Sequence, residues 1–285
     1  AALNEPPIQL FRDHDIHLES QLLEIAVCAQ HNNGGLRGNL WWESSLRGLF
    51  PVGEVAGTHG VRRPGGASLN SGQVGAMRAA RTIADRGAQA PPGAEAFATT
   101  VRDQAEELLT FGQRCLGPAE AGQGLTPAQV VGEIQERMSE TGAHLRKLSS
   151  VREAARNARD LLRSLPTELR ISDVRALSTA FWAADLCLSH LVYLEAIRSY
   201  LEAGGGSRGS ALVLDEGGEL PAPTLEERWR FRASDPECKA EEDILEVWLD
   251  GEEVRTAWVP PRPIPEEEGW FEEVWRAYRE GRIIE

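Results

Sequence analysis

The sequence predicts an α/β fold in which a strand–loop–helix unit is followed by a three-helix bundle and an irregular acidic tail. The apolar run Gly48–Val52 leads through a loop rich in Gly, His and Arg into a helical pattern over Asn70–Asp85. A linker, Gly87–Gly93, then separates this unit from three long patterns rich in Ala, Leu, Arg and Glu. We therefore predict three parts: residues 1–90, 91–214 and 215–285.

Composition excludes several classes of protein. The chain has 285 residues and a formal net charge of −14, which argues against a nucleic-acid or anionic-membrane partner. Its four cysteines form no C-x-x-C pair and are predicted to be free, mostly buried thiols of a reducing compartment (Cys28, Cys115, Cys187, Cys238). We find no signal peptide and no apolar run of membrane-spanning length. The expected location is the cytoplasm, or a membrane periphery reached through a partner.

The first residues predict little regular structure. Residues 1–22 are polar and mixed, and the chain begins without Met, which favours a fragment of a longer protein. His14 and His17 lie between acidic residues, but two histidines are too few for a typical metal site, so we predict none.

A compact apolar run, Leu22–Ala29, has the length of a buried strand. It leads into Gln30, His31, Asn32 and Asn33, followed by the pair Gly34–Gly35. Polar groups at the carboxyl end of a strand often bind ligands, and glycines allow a close approach of the backbone. An ordinary tight turn explains the same residues equally well.

The loop after Gly48–Val52 is the strongest candidate site. It carries His59, Arg62 and Arg63, and the following helix would direct its N-terminal N–H groups at an anionic or electron-rich ligand. Arginine suits a carboxylate because it binds both oxygens. The chain contains no G-x-S-x-G, no zinc signature and no G-x-G-x-x-G between a strand and a helix.

The three helical patterns end at a glycine-rich stop. They cover 94–116, 126–165 and 171–203, with Thr126 as a predicted cap, a break at Pro166, and a stop at Gly204–Ser210. Arg208 between glycines is unusual for a purely structural arginine. Beyond a short strand, 211–214, the acidic tail predicts a hairpin around Asp250–Gly251 and a terminal helix over 265–279.

Four motifs in order give this chain a family resemblance. They are the upstream Gly34–Gly35 pair, Gly48–Glu54 (GLFPVGE) with His59–Arg63 (HGVRR), Ala67–Leu69 (ASL), and Ser207–Gly209 (SRG). Together they resemble the C-terminal FAD-binding and helical segments of the succinate dehydrogenase and fumarate reductase flavoprotein family. The resemblance covers about residues 22–214, and it implies a Rossmann-like FAD-binding domain, of which this chain holds the C-terminal portion.

The resemblance also implies roles for individual residues. Gly53 and Glu54 would hold the ribityl part of FAD, and Ser68 and Leu69 would present backbone to the flavin pyrimidine edge. Arg63 would bind the carboxylate of a small substrate, with His31, His59 and Arg208 as further catalytic candidates, and the turn at Gly34–Gly35 would lie close to the flavin. The alternatives stay open: Glu54 could cap a helix or pair with an arginine.

Departures from the family limit what the resemblance implies. Gln30 stands where the family has histidine, with His31 one residue later, which puts specificity for dicarboxylates in question. The dinucleotide fingerprint and the capping domain of the family lie upstream of the matching segment, so we expect this chain to need an N-terminal FAD-binding half or subunit. An electron-transfer protein is a further expected partner. The alternative function is a non-catalytic interaction module formed by 94–203 and the tail.

Overall fold

The computed structural model of the protein describes residues 5–23, 34–60, 66–87, 92–116, 124–209, 211–235, 237–251, 253–263 and 270–282. The chain divides into two compact units, residues 1–32 and 33–285. The first contains a helix that the sequence did not predict, α1 (Glu5–Arg12), with two prolines in its first turn, where a missing N–H costs no hydrogen bond. The predicted strand Leu22–Ala29 lies almost entirely outside the described residues.

Four helices form the core of the second unit: α3 (Ala94–Cys115), α4 (Pro127–Arg137), α5 (Leu148–Glu168) and α6 (Leu177–Glu202). α6 lies centrally and packs against the other three. One face of α5 is lined by small buried residues, which lets α6 approach closely. The buried residues in the contact between α5 and α6 are Ala154, Ala155, Ala158, Leu191 and Leu194.

The prediction of a single helix over 126–165 was wrong. The chain leaves α4 through a π-helical segment, Met138–Gly142, and forms a short strand, β1 (Leu145–Arg146), before α5 begins. Gly142 is buried, and a Cβ atom there would lie 2.6 Å from the methyl carbon of Met138. The Thr141 hydroxyl also donates to the Arg137 carbonyl at 2.6 Å. The Met138 side chain thus packs closely on Gly142 at the interruption, and four helices replace the predicted three.

The predicted helix ends are mostly confirmed. Thr126 forms a capping box with Gln129 and precedes Pro127 at the first helical position. α6 ends at Glu202, directly before the glycines of 204–206. Pro166 does not break its helix at once: α5 continues to Glu168, so the predicted break lies two residues too early.

Two small sheets complete the second unit. β1 pairs in parallel with β2 (Leu212–Glu219) through Leu145 with Leu212 and Arg146 with Val213. The predicted hairpin is confirmed: β3 (Ile244–Asp250) pairs antiparallel with β4 (Glu253–Val259). A single-turn helix, α7 (Lys239–Glu242), precedes it, and α8 (Trp270–Arg279) is the predicted terminal helix. The fold is thus α/β in content; its Rossmann-like portion and its division into three parts stay predictions.

The predicted strand Gly48–Val52 is not a strand in the structure. Its backbone groups are used locally: the Ser44 N–H donates to the Leu49 carbonyl at 2.8 Å, and the Leu49 N–H donates to the Leu46 carbonyl at 3.1 Å. Pro51 has no N–H for a ladder. The run is therefore an irregular segment. The helix predicted at 70–85 is confirmed as α2 (Ala67–Arg86).

One helical stretch among the described residues, Val174–Glu202, is long and apolar enough to cross a membrane, with a mean hydropathy of 1.3. This differs from the expectation that the sequence holds no apolar run of membrane-spanning length. Within this chain, 44% of its apolar window is buried, and it packs against α4 and α5.

Candidate functional site

The described parts of the two loops predicted to form a site lie directly against each other at residues 34–36 and 53–57. The Leu36 N–H donates to the Val55 carbonyl at 2.7 Å. A Cβ atom on Gly35 would lie 2.3 Å from both the Gly57 nitrogen and the Val55 oxygen, and a Cβ on Gly57 would lie 2.5 Å from the Gly35 nitrogen. Two glycines are therefore required here because the two backbones touch.

The second loop turns through a 3₁₀ helix, Gly53–Ala56, and packs on the start of α2. Gly53 and Gly57, which enclose this turn, have φ of +80° and +67°, a region that favours glycine. The Thr58 and Ser71 hydroxyls lie 2.8 Å apart, and Gly72 faces the Cα atom of Gly53. These contacts position the turn beside the N-terminal half of α2.

Two interactions hold the approach to this turn against the rest of α2. Glu43 is buried and accepts hydrogen bonds from Arg86 at 2.7 Å and from the Gly48 N–H at 3.0 Å. The Arg86 guanidinium, followed by this N–H, holds the pKa of Glu43 below its usual value. The Trp42 ring covers Gly75, where a Cβ atom would lie 2.6 Å from the indole. Nothing in the sequence indicates a role for Glu43, whose partner Arg86 lies 43 positions away along the chain.

C-terminal segments also contact this region. Arg37 pairs with Glu246 of β3 at 2.8 Å, and the guanidinium of Arg81 lies 4.5 Å from the centre of the Tyr278 ring of α8. Arg262 donates to the Gly38 carbonyl at 2.7 Å. The acidic tail is therefore part of the support of the candidate site.

Most of the predicted flavin-contacting residues fall within this small region. Gly34 and Gly35 lie beside the turn that contains Gly53 and Glu54, and the same loop continues through the half-buried His59. Ser68 and Leu69 lie in the first turn of α2, and the Leu69 side chain is 72% exposed. The candidate residues His31 and Arg63, like Arg62, lie outside the described residues.

Arg208 has a different environment. Its guanidinium lies 3.5 Å from the Glu241 carboxylate and 5.9 Å from the centre of the Tyr200 ring. Its N–H donates to the Ala211 carbonyl at 3.2 Å. In the part of the chain that is described, its contacts thus lie at the junction of α6, β2 and α7, and none of them is with the two loops.

Comparison with known proteins identifies the relatives of this fold. A 70-residue stretch, 24% of the chain, is 40% identical to part of a subunit of the fumarate reductase (CoM/CoB) of Methanothermobacter marburgensis, of which it covers 13%. Escherichia coli quinol fumarate reductase FrdA matches 84% of the chain with a TM-score of 0.55 and 21% identity. The Mycobacterium smegmatis Sdh1 complex matches 92% of the chain with a TM-score of 0.62 and 20% identity.

The chain resembles part of the flavoprotein subunits of fumarate reductase and succinate dehydrogenase. It spans 38% and 41% of the two matched structures, so it corresponds to less than half of either. No family model matches the chain. The resemblance read from the four motifs is confirmed.

The geometry of the two loops is compatible with the FAD that this flavoprotein likeness implies. Among the described residues, no heavy atom lies within 4 Å of a Cβ atom built on Gly53 or on Gly66. Gly66 is the N-cap residue of α2 and has no side chain to accept from the first turn. Glu54 is exposed on the adjoining turn. A cradle of backbone, helix N–H groups and one carboxylate suits a polar heteroaromatic cofactor with hydroxyl groups.

Proposed function

We propose that this chain is part of an FAD-dependent oxidoreductase that exchanges hydride between a flavin and a small carboxylate-bearing substrate. The observation that carries the proposal is the backbone contact of Gly35 with Gly57 beside the N-terminus of α2. It brings three sequence-distant segments, each assigned to flavin by the motifs, into one region. Bound FAD supplies the two-electron chemistry, and the protein supplies position and charge.

Each described residue of the region has a defined task in this proposal. The Glu54 carboxylate accepts hydrogen bonds from ribityl hydroxyls. The first-turn N–H groups of α2, including those of Ser68 and Leu69, donate to the pyrimidine edge, where their partial positive charge favours added negative charge. Gly34 and Gly35 keep side chains away from the flavin face. These tasks bind and orient the cofactor without altering its own chemistry.

The substrate is held by cationic and hydrogen-bonding groups. Arg63 binds a substrate carboxylate through two parallel N–H bonds in this proposal, and His31, His59 and Arg208 are further catalytic candidates. The proposal further includes an N-terminal FAD-binding half, supplied by the same or another chain, and an electron-transfer protein. Fold likeness over 84% and 92% of the chain does not favour the alternative of an independent interaction module.

Flavin binding tests the first step. FAD fluorescence is followed with the 285-residue chain alone and with an N-terminal flavoprotein half added as a second chain. We expect quenching and retention of FAD on a desalting column only when both are present. Absence of bound FAD in both mixtures would contradict the flavin assignment.

Variants of the adjacent residues Arg62 and Arg63 test the proposed binding of substrate by Arg63. Arg63→Ala is compared with Arg62→Ala, which removes the same charge one residue away, in the reconstituted pair. With reduced viologen dye and fumarate as substrates, we expect Arg63→Ala to abolish turnover while flavin stays bound, and Arg62→Ala to retain it. Unchanged turnover in Arg63→Ala would remove Arg63 from substrate binding.

A further inference from the structure

A cationic depression lies between α5 and α6, formed by residues that have no part in the proposed flavin site. It has a volume of about 240 Å³ and is lined by Arg152, Ala155, Arg156, Arg159, Glu195, Arg198 and Glu202. Four arginines face two glutamates there, an excess of two positive charges. The whole chain carries a net charge of −14, so this excess is a local departure from the overall charge.

Two carboxylates hold the arginines in place. Glu195, whose side chain is only 3% exposed, accepts from Arg159 Nη2 at 2.5 Å and from Arg198 Nε at 2.7 Å. Glu202 accepts from Arg198 Nη1 at 2.6 Å and from Arg152 Nε at 2.8 Å. Each carboxylate thus joins two guanidinium groups, and the chain of ion pairs fixes three of them around one opening.

The arginines keep donors that these ion pairs do not use. Arg152 bonds Glu202 through Nε, and its two terminal nitrogens make no hydrogen bond with the described residues. Arg156 lies one turn further along the same face of α5 and forms no ion pair within the described part of the chain. Guanidinium groups with fixed planes and spare N–H donors bind phosphate and carboxylate oxygens in pairs.

We propose that this depression, the α5–α6 arginine site, binds a small polyanion with at least two phosphate or carboxylate groups. The excess of two charges matches a dianion or a more highly charged ligand. A depression of about 240 Å³ has room for a small polyanion such as pyrophosphate or a tricarboxylate. Glu195 and Glu202 position the arginines, whereas Arg152 and Arg156 touch the ligand.

Calorimetric titration of the full chain tests this site. Pyrophosphate and citrate are titrated separately, with inorganic phosphate as the single-group reference. We expect one site per chain for at least one of the two polyanions, and inorganic phosphate to bind about tenfold more weakly because it loses one set of charge-assisted hydrogen bonds. The polyanion that binds with the higher affinity shows whether the site prefers phosphate or carboxylate groups.

Two variants that each lose one positive charge test whether the heat of polyanion binding comes from the α5–α6 arginine site. Arg156→Gln removes an exposed guanidinium with no ion pair among the described residues, so the fold should persist, which circular dichroism checks. Arg102→Gln removes an exposed charge from α3. We expect about tenfold weaker polyanion binding in Arg156→Gln and unchanged binding in Arg102→Gln. Equal affinities in the two variants, or no binding by the unaltered chain, would overturn the proposal.

Discussion

Replacing Gly35 by Ala separates the two loops of the candidate site. Gly35 does not have a positive φ, so alanine can adopt its backbone conformation and the effect is purely steric. The new methyl group would lie 2.3 Å from the Gly57 nitrogen and from the Val55 oxygen, both of which are backbone atoms that cannot rotate away. Overpacking of this kind costs roughly 1–3 kcal/mol, and here it destabilises the contact between the two loops.

Hydrogen exchange at the Leu36 amide measures this cost directly. This N–H donates to the Val55 carbonyl at 2.7 Å, so it exchanges only when the loops part. A cost of roughly 1–3 kcal/mol corresponds to exchange that is about 5 to 150 times faster in Gly35→Ala. Hydrogen exchange of the backbone amides in the core helices α3–α6 reports the global stability in the same experiment.

The neighbouring residue is the control. Gly34 also lacks a positive φ, and no heavy atom of the described residues lies within 4 Å of a Cβ atom built on it. Gly34→Ala should therefore leave the exchange of the Leu36 amide within about threefold of the unaltered chain. Equal acceleration in both variants would show that backbone entropy, and not the contact with Gly57, governs the loop.

Three further predictions concern the helical part. Burial, with a smaller effect of Arg137, lowers the pKa of His190 from 6.5 to about 4. Between pH 7 and pH 5, a proton therefore binds His190 in the unfolded chain but not in the folded chain. Over this range, urea unfolding should show that the free energy of unfolding falls by about 2 kcal/mol in the unaltered chain and that this fall is missing in His190→Gln. Thr126→Ala should lower the free energy of unfolding by about 1 kcal/mol because it removes the capping box; no change would show that the cap is dispensable. The buried Cys187, whose pKa is raised to about 11 by burial, should react with iodoacetamide far more slowly than the half-buried Cys238, and equal rates would contradict this.

Features with a local cause could be predicted from the sequence. The Thr126 cap, the glycine stop after α6 and the hairpin at Asp250–Gly251 each depend on residues within one or two turns of each other. The π-helical segment could not be predicted, because nothing local to 138–142 distinguishes it from a continuing helix, and the contacts at Gly142 include Ile197 of the distant helix α6. Such a meeting is a property of the packed helices and leaves no local pattern.

The candidate site likewise has parts that the sequence predicted and parts that it did not. Glycine and motif spacing marked Gly34, Gly35 and Gly53 as a region of close backbone approach, and the structure shows the backbone contact of Gly35 with Gly57. The apolar run Gly48–Val52 suggested a strand because hydrophobicity alone does not report where backbone hydrogen bonds go. Here they close a local turn, and the Glu43 carboxylate receives the Gly48 N–H.

Arg208 shows how the described contacts and the proposed role can coexist. Its ion pair with Glu241 is long at 3.5 Å, and its side chain is 47% exposed. The Glu241 side chain is 19% exposed, and a pair this long is weaker than the two charge-assisted hydrogen bonds that a substrate carboxylate would offer the guanidinium. The contact of Arg208 with Glu241 is therefore compatible with its proposed role in substrate binding.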